Sequence, residues 1–314
     1  MMQSIFNKAK PGSQSGARPP AAVELVPEGV LAAALHATGE PPVYAFEALP
    51  AGALVPGIGE PNLRAPEAVA NAIRAALSQT SPRSRAVTLV LPDTVVRVFV
   101  LDFDSLPGKA DEAFSVMRFR LRKMVPFEVE HAGLSYQVLT ESKTECKVLA
   151  AVIPGPILQE YEAAVRAAGY EPGAVLPSSL AALAGLDSME AVLAANLSGL
   201  ALTTTITNGH DLLLYRTLDL PEEPGLRLDE VRRGIAVAAA FYEDKLGTRP
   251  RKLYYAGDGG AGGNSAVEDF TKWLDEPELT VANLAPRPET GAATPLDNLV
   301  SLAGVVGALA GANS

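Results

Sequence analysis

Few side chains in this 314-residue sequence have the types and spacing that catalysis requires. The pair Ser178 and Ser179 lacks the G-x-S-x-G pattern of a nucleophile elbow, and it is better interpreted as the start of a helix. A P-loop of the form G-x-x-x-x-G-K-[ST] is absent from the sequence. The histidines are scattered without a ligand spacing such as H-x-x-x-H, and they therefore predict no metal site: His36, His131 and His210.

The composition and charge are those of a folded chain without a general attraction to polyanions. Hydrophobic residues make up 48% and charged residues 20% of the chain, which is typical of a globular α/β protein. The net charge of −10 argues against nucleic acid or an anionic membrane surface as a partner.

The single cysteine, Cys146, excludes an intrachain disulfide and fits a reducing cytoplasm. We recognise neither a signal peptide nor a membrane span, and we therefore expect a cytoplasmic protein.

The first part of the chain predicts a flexible leader followed by a sheet and a helix. Residues 1–20 lack periodicity and are rich in Gly, Ser and Pro, which is typical of a flexible segment. Residues 21–49 predict three short strands joined by tight turns. Residues 66–79 predict a helix with one apolar face, and residues 86–92 predict a buried strand.

The rest of the chain repeats this order after an additional segment. Residues 93–172 predict the order β-α-β-β-α, with the first helix at 109–124. Residues 191–220 predict three more strands with an Asn-Gly hairpin turn, and residues 229–246 predict the helix that follows them. An apolar, small-residue stretch at 296–311 predicts a final packed helix. The sequence therefore predicts two similar halves, with an insertion in the first.

A basic helix within the insertion is the strongest local charge pattern. Arg118 and Arg122 share one helical face, whereas Arg120 lies away from them. One hypothesis is that Arg118 and Arg122 contact an acidic partner. The alternative is a solvated face, with the apolar residues between the arginines turned inward.

Three stretches of the sequence resemble the type IV pilus assembly protein PilM: VVRVFVLDFDSLPG, RFRLRKMVPFEVEHAGLSYQVL and AAVIPGPILQEYEAAVRAAGYEP. The resemblance covers Ala21 to Gly311 and is strongest between Leu89 and Leu186. It implies an α/β, actin-like (ribonuclease H-like) duplicated fold. In that family an inserted β-α-β-β subdomain is shared with the cell-division protein FtsA.

The resemblance also implies a division of the chain. We expect a leader, a first actin-like subdomain (1A), an inserted subdomain (1C), a second actin-like subdomain (2A) and a small subdomain (2B). The corresponding residues are 1–20 for the leader, 21–92 and 173–187 for 1A, 93–172 for 1C, 188–228 and 276–314 for 2A, and 229–275 for 2B.

Resemblance to PilM implies a scaffold of the pilus assembly platform. Such a protein binds the N-terminal cytoplasmic tail of the inner-membrane protein PilN and couples the membrane ring to the pilus motor ATPase. It is therefore peripheral to the inner membrane and reaches the membrane only through its partner. The resemblance places the partner groove between the first sheet and the inserted subdomain, where Arg97, Phe99 and Leu101 are candidate contacts together with Arg118 and Arg122.

Typical PilM proteins also bind ATP, and here the sequence departs from the family. The first phosphate hairpin normally carries a D-I-G-S-S loop, whereas the stretch that we align with it, Gly16–Pro20, has no Asp. In the second hairpin Asn196 takes the place of the acidic residue, so the charge that offsets a divalent ion is missing. A nucleotide, if bound, would lie against Asn196 and the turn that holds Gly257, Gly259 and Gly260. We therefore expect weak or absent Mg-ATP binding, no hydrolysis and no cofactor, as in a pseudo-ATPase.

Two alternatives remain open from the sequence. The chain could be an active actin-like ATPase or a sugar-kinase relative whose phosphate loops are aligned incorrectly above. It could also be the cytoplasmic part of a type II secretion GspL-like protein. GspL-like proteins normally continue into a membrane span, and none follows within this sequence. We therefore expect a PilM-like scaffold rather than a GspL-like protein.

Overall fold

The computed structural model describes residues 18–36, 40–186, 188–257, 270–272, 274, 276, 278–284, 301–310 and 312. The predicted leader lies outside these residues except for its last three positions. The glycine-rich segment after Gly257 and the start of the predicted final helix also lie outside them.

The helices and strands follow the predicted order closely. A single 3-10 turn, Asp93–Val95, separates the fourth and fifth strands. The elements are β1 (Ala21–Val26), β2 (Gly29–Ala34), β3 (Val43–Ala48), α1 (Pro66–Thr80), β4 (Ala86–Leu91), β5 (Arg97–Phe103), α2 (Ala110–Leu121), β6 (Gly133–Glu141), β7 (Cys146–Ile153), α3 (Gly155–Ala167), β8 (Glu171–Pro177), α4 (Ser178–Ala184), β9 (Ala191–Ser198), β10 (Ala201–Asn208), β11 (Asp211–Asp219), α5 (Pro224–Leu246), β12 (Lys252–Gly257), β13 (Thr280–Asn283) and α6 (Ala303–Ala310).

The two halves of the chain build five-stranded sheets with the same strand order. The first sheet has the order β3-β2-β1-β4-β8, and the second has the order β11-β10-β9-β12-β13. In each sheet the first three strands of the half form an antiparallel meander, and the later strands add in parallel beside the first strand. The duplicated, actin-like architecture predicted above is therefore confirmed.

The insertion builds a third sheet of its own. Its order is β5-β7-β6, and all of its pairs are antiparallel. Helix α2 covers one face of this sheet through Met117 and Leu121, which are fully buried. The predicted β-α-β-β insertion is confirmed, although α2 ends at Leu121 rather than at residue 124.

Helix α1 shows why the local predictions succeed. Its apolar positions recur at helical spacing, and Val69, Ile73, Ala76 and Leu77 are all buried against the first sheet. Helix α5 begins earlier than predicted, because Glu223 caps it by accepting hydrogen bonds from the backbone N–H groups of the first turn.

The cores of the two halves are continuous where the halves meet. The largest cluster of buried apolar residues contains the first sheet, α4 and α6, together with Ala194, Leu212 and Tyr215 of the second half. Helix α6, which we assigned to subdomain 2A, packs against α4 and β1 of the first half. No helix in the described part of the chain is long and apolar enough to cross a membrane.

Candidate functional site

A buried carboxylate lies where the two halves meet. Asp93 follows β4 in the 3-10 turn and is only 2% exposed. One carboxylate oxygen accepts the backbone N–H of Ser179 at 3.1 Å and the Tyr215 hydroxyl at 3.3 Å. The other accepts the Ser179 hydroxyl, the Thr203 hydroxyl at 3.0 Å and the Asn196 amide at 3.3 Å. Asp93 is therefore surrounded by donors.

These hydrogen bonds tie one half of the molecule to the other. Asp93 and Ser179 belong to the first half, whereas Asn196, Thr203 and Tyr215 lie on β9, β10 and β11 of the second. The Asn196 amide also donates to the Ser179 hydroxyl at 2.9 Å. We call these five residues the junction network. Because buried polar networks of this kind require all partners in place, the network fixes the relative position of the halves.

Burial controls the protonation of the junction network. Complete burial raises the pKa of Asp93 above its usual value of 3.8, and the hydrogen bonds from Ser179, Thr203 and Tyr215 oppose that shift only in part. Burial and the negative charge of Asp93 together raise the pKa of Tyr215 well above 10.0. Tyr215 therefore stays neutral and remains a hydrogen-bond donor to Asp93 at any physiological pH.

The strand register shows which residue of the first half corresponds to Asn196. Asn196 stands two residues before Ser198, the last paired residue of β9. Glu24 stands two residues before Val26, the last paired residue of β1. Since the two sheets have the same topology, Glu24 and Asn196 occupy equivalent positions in the two halves.

This correspondence corrects the alignment made from the sequence. The first hairpin is not at Gly16–Pro20 but at the turn of Pro27 and Glu28 between β1 and β2. An acidic residue, Glu24, does stand before that turn, although none was expected there. The prediction failed because the loop was sought ahead of the strand that contains AVEL, whereas the hairpin turn follows that strand.

The surroundings of Glu24 and Asn196 differ from those of a phosphate site. Glu24 is 4% exposed and accepts the Ser178 hydroxyl at 2.5 Å. A side chain at Gly304 of α6 would overlap the Glu24 carboxylate, so α6 covers it closely. In the first hairpin, Pro27 has no backbone N–H to donate and Glu28 is an exposed negative charge. These residues fit a structural junction better than a magnesium–phosphate complex.

The glycine at the end of β12 has a packing role. A Cβ at Gly257 would overlap the Tyr255 hydroxyl and lie 3.0 Å from the carbonyl oxygen of Leu197. The Tyr255 ring stacks on Phe270 with 3.8 Å between the ring centres. Gly257 therefore makes room for a tyrosine of its own strand. Gly259 and Gly260 lie outside the described residues, as does any ligand contact that they would make. In the described part, no group of three or more His, Cys, Asp or Glu residues could hold a metal ion.

The predicted partner residues on β5 are committed to contacts within the chain. Leu101 is buried in the core of the third sheet, and Phe99 packs against that core. Arg97 donates to Asp219 at 3.0 Å and joins the insertion to β11. Their role in binding a partner stays a prediction, and any partner at Arg97 would compete with this ion pair.

The two arginines of α2 that the sequence singled out both contact the loop that follows the helix. The guanidinium group of Arg118 donates to the carbonyl oxygens of Val129 and Ala132, so it holds the following loop. Arg122 pairs with Glu130 at 2.5 Å. Arg120, which sequence reasoning set aside, is exposed and forms no ion pair with any described residue. Arg118 therefore holds the loop that follows α2, whereas Arg122 remains exposed beside Glu130, and the role of both in binding a partner stays a prediction.

A groove lies between α1 and α3 on the outside of the first half. It encloses about 430 Å³, and its walls are lined with alanines from both helices: Ala70, Ala163, Ala164 and Ala167. At one end Arg74 donates to the carbonyl oxygen of Ala167 at 2.7 Å. At the other end Glu160 accepts the backbone N–H groups of Asn62 and Leu63 at 2.7 and 3.3 Å. Both charged residues are therefore held in place.

The segment before α1 forms one end of this groove and is rigidly organised. Asn62 is completely buried, and its amide donates to the carbonyl oxygens of Gly57 and Glu60. Its side-chain oxygen accepts the Gly57 N–H at 2.8 Å and the Tyr161 hydroxyl at 3.1 Å. The groove is thus formed by fixed elements, which lowers the conformational cost of binding an extended chain.

Comparison with solved structures identifies the fold. The structure is similar to that of PilM in the PilM–PilN type IV pilus biogenesis complex, with a TM-score of 0.69, 18% identity, and coverage of 95% of this chain and 99% of that chain. It is also similar to the cytoplasmic domain of EpsL, an inner-membrane component of the type II secretion system of Vibrio cholerae. That match has a TM-score of 0.52 and 14% identity, and it covers 94% of each chain.

The sequence itself matches no protein-family model and no curated protein. At these identities the structural similarity establishes the fold alone. The resemblance to PilM noted in the sequence is confirmed at that level, over nearly the whole length of both chains.

Proposed function

We propose that this chain is a cytoplasmic, PilM-like adaptor of a type IV pilus or a related secretion machine, and that it acts by binding rather than by catalysis. The observation that carries the proposal is the similarity over 95% of this chain and 99% of a PilM chain that was solved with PilN. The partner is the N-terminal tail of a PilN-like protein, which holds the chain at the inner membrane. A pilus motor ATPase is a further partner consistent with this role.

The groove between α1 and α3 is the site that we propose for the tail. It is walled by small apolar side chains and bounded by Glu160 and Arg74, which can orient the backbone of an extended peptide. The residues predicted on β5 form the competing site. Arg97 and Leu101 have little free surface because the ion pair to Asp219 and the core of the third sheet occupy them.

Filling the groove is expected to weaken binding of the tail. A synthetic peptide of the cognate PilN-like tail should bind the wild-type chain with micromolar affinity in a calorimetric titration. Ala163→Arg should raise the dissociation constant at least about tenfold, because Ala163 is exposed in the groove and a long side chain there excludes the peptide. The matched control is Ala240→Arg, which changes an exposed helical alanine of α5 and should bind normally.

The variant Arg97→Ala shows which of the two sites, the groove or β5, binds the tail. If it abolishes binding while Ala163→Arg has no effect, the tail lies along β5 and the groove is the wrong location. If the wild-type chain binds no cognate tail at all, the adaptor function is wrong. The structural similarity to the EpsL cytoplasmic domain keeps a GspL-like role open, and a secretion-system tail that binds in place of the pilus tail would favour it.

Magnesium-ATP is expected not to bind. Glu24 is engaged by Ser178 beneath α6, and Asn196 is engaged by Asp93 and Ser179, which supports a pseudo-ATPase. Titration of Mg-ATP should give no heat and no rise in melting temperature, since only a ligand that binds the native state stabilises it. A dissociation constant at or below about 100 μM would instead favour the active actin-like ATPase.

A further inference from the structure

The end of α2 carries an exposed apolar and basic surface that the proposed function does not use. Phe119 is 70% exposed and Met124 is 41% exposed, although both are large apolar side chains. Arg120 and Lys123 are exposed beside them and form no ion pair with any described residue. We call these four residues the basic face. Cations are favourable at the C-terminal end of a helix, but that effect does not explain an exposed phenylalanine beside Arg120.

An acidic and apolar cleft lies at the start of α5 in the second half. It encloses about 560 Å³, and its lining residues are Asp219, Leu220, Pro221, Leu226, Asp229, Glu230 and Arg233. Leu226 is 56% exposed. Acidic residues are favourable in the first turns of a helix, yet helix capping does not require an exposed leucine among them. We call this surface the acidic cleft.

The charges of the acidic cleft are unevenly neutralised. Asp219 pairs with Arg97, and Glu230 pairs with Arg233 at 2.5 Å. Asp229 is exposed and has no ion-pair partner in the described part of the chain. It is therefore the carboxylate best placed to receive a cation from another molecule.

The basic face and the acidic cleft complement each other in charge, and each presents an exposed apolar side chain. Each combines an exposed apolar residue, Phe119 or Leu226, with charge of opposite sign that has no ion-pair partner in the described part of the chain: Arg120 and Lys123 on the basic face, and Asp229 in the acidic cleft. Both surfaces remain exposed in the same molecule, so they do not cover one another within one chain. We propose that the basic face of one copy docks into the acidic cleft of a second copy.

Such a contact joins two different surfaces and is therefore heterologous. Each copy that offers its basic face still has a free acidic cleft, so the contact can continue to a third copy. Repetition produces an open chain or a closed ring, depending on the rotation between neighbours. The net charge of −10 opposes general aggregation, so association has to depend on this local complementarity.

Charge reversal on each surface tests the proposal by sedimentation velocity over a concentration series. The wild-type chain should show a mass above 32.7 kDa that increases with concentration. The double variant Arg120→Glu, Lys123→Glu and the single variant Asp229→Lys should each lower the association constant at least about tenfold and remain monomeric. Mixing the two variants should restore pairwise association, because the intact basic face of the Asp229→Lys variant then meets the intact acidic cleft of the double variant.

The matched controls keep the change in net charge but move it to other surfaces. They are Arg83→Glu, Lys143→Glu for the basic face and Asp244→Lys for the acidic cleft, all exposed positions, and they should associate like the wild type. A wild-type chain that stays at 32.7 kDa, or a mixture that stays monomeric, overturns the proposal. So does association that survives Asp229→Lys but not the reversal of the basic face. Binding of the PilN-like tail is measured on the same variants and should be unchanged.

Discussion

Replacing Asp93 by alanine is expected to lower the free energy of unfolding by about 3 kcal/mol, because it removes the acceptor at the centre of the junction network. The Ser179 backbone N–H and the hydroxyl groups of Thr203 and Tyr215 all donate to this carboxylate. These donors are buried where the two halves meet, so the loss of their acceptor is costly. Chemical denaturation near neutral pH, followed by far-UV circular dichroism, measures the change.

Two further variants show whether the effect comes from the network. Asp93→Asn keeps the shape and one acceptor oxygen, so it should lose less stability than Asp93→Ala. Asp244→Ala removes an exposed aspartate of α5 and should change the free energy of unfolding by no more than about 0.5 kcal/mol. If Asp93→Ala is as mild as Asp244→Ala, the junction network does not hold the halves together.

The pH dependence of stability follows from the raised pKa of Asp93. Below the usual value of 3.8 the carboxyl group is protonated in both the folded and the unfolded chain, and its contribution is fully present. As the pH rises above that value, the unfolded chain releases the proton first. The contribution of Asp93 to stability is therefore lost progressively until the pH reaches the raised pKa of the folded state. The unfolding free energy of the wild type minus that of Asp93→Asn should therefore fall as the pH is raised, because only the wild type loses stability through this group. A difference that grows with pH would mean that the pKa of Asp93 is lowered instead.

The fold could be predicted largely from local patterns. The two three-strand meanders, the apolar face of α1 and the buried run of β4 are all visible within short windows, and the repetition of the meander indicates the duplication. Strand β13 was missed because Thr280–Asn283 has only four residues and no alternation of its own. It becomes a strand by pairing in parallel with β12.

The junction network could not be predicted, because its members are distant in the sequence. Asp93 follows a buried strand, and in the sequence it looks like an ordinary turn residue after Pro92. Its partner Ser179 is 86 residues away, and Tyr215 is 122 residues away. The only local signal is a carboxylate between two apolar runs, which indicates burial but does not identify partners. Asn196 was singled out, but as a candidate for binding a nucleotide.

The arginines of α2 show a different limit of the sequence. Helical spacing correctly places Arg118 and Arg122 on one side, but it cannot show that this side faces the loop containing Val129 and Glu130. The pair that spacing favours for a partner is therefore the pair that the chain itself engages. Arg120, which is exposed and forms no ion pair with any described residue, was set aside for the same reason.

Replacing Gly307 by alanine is expected to cost about 3 kcal/mol of stability, through overpacking between α4 and α6. A Cβ at this position would overlap the carbonyl oxygen of Ala181 and lie 3.1 Å from the Cα of Ala182. Because these are backbone atoms, a change of side-chain rotamer cannot relieve the overlap. Helix α6 would have to move away from α4 and from the first sheet. Thermal and chemical denaturation of the variant measure this loss.

Gly108→Ala is the matched control, since nothing lies within 4 Å of a Cβ there and the expected change is small. If Gly307→Ala is equally mild, α6 does not pack as closely as the structure has it. Helix α6 also covers Glu24, so separating it from the first half would expose this carboxylate. Mg-ATP is therefore worth testing on the Gly307→Ala variant. Binding that appears only in this variant would show that the packing of α6, rather than the identity of the residues at Glu24 and Asn196, keeps the nucleotide out.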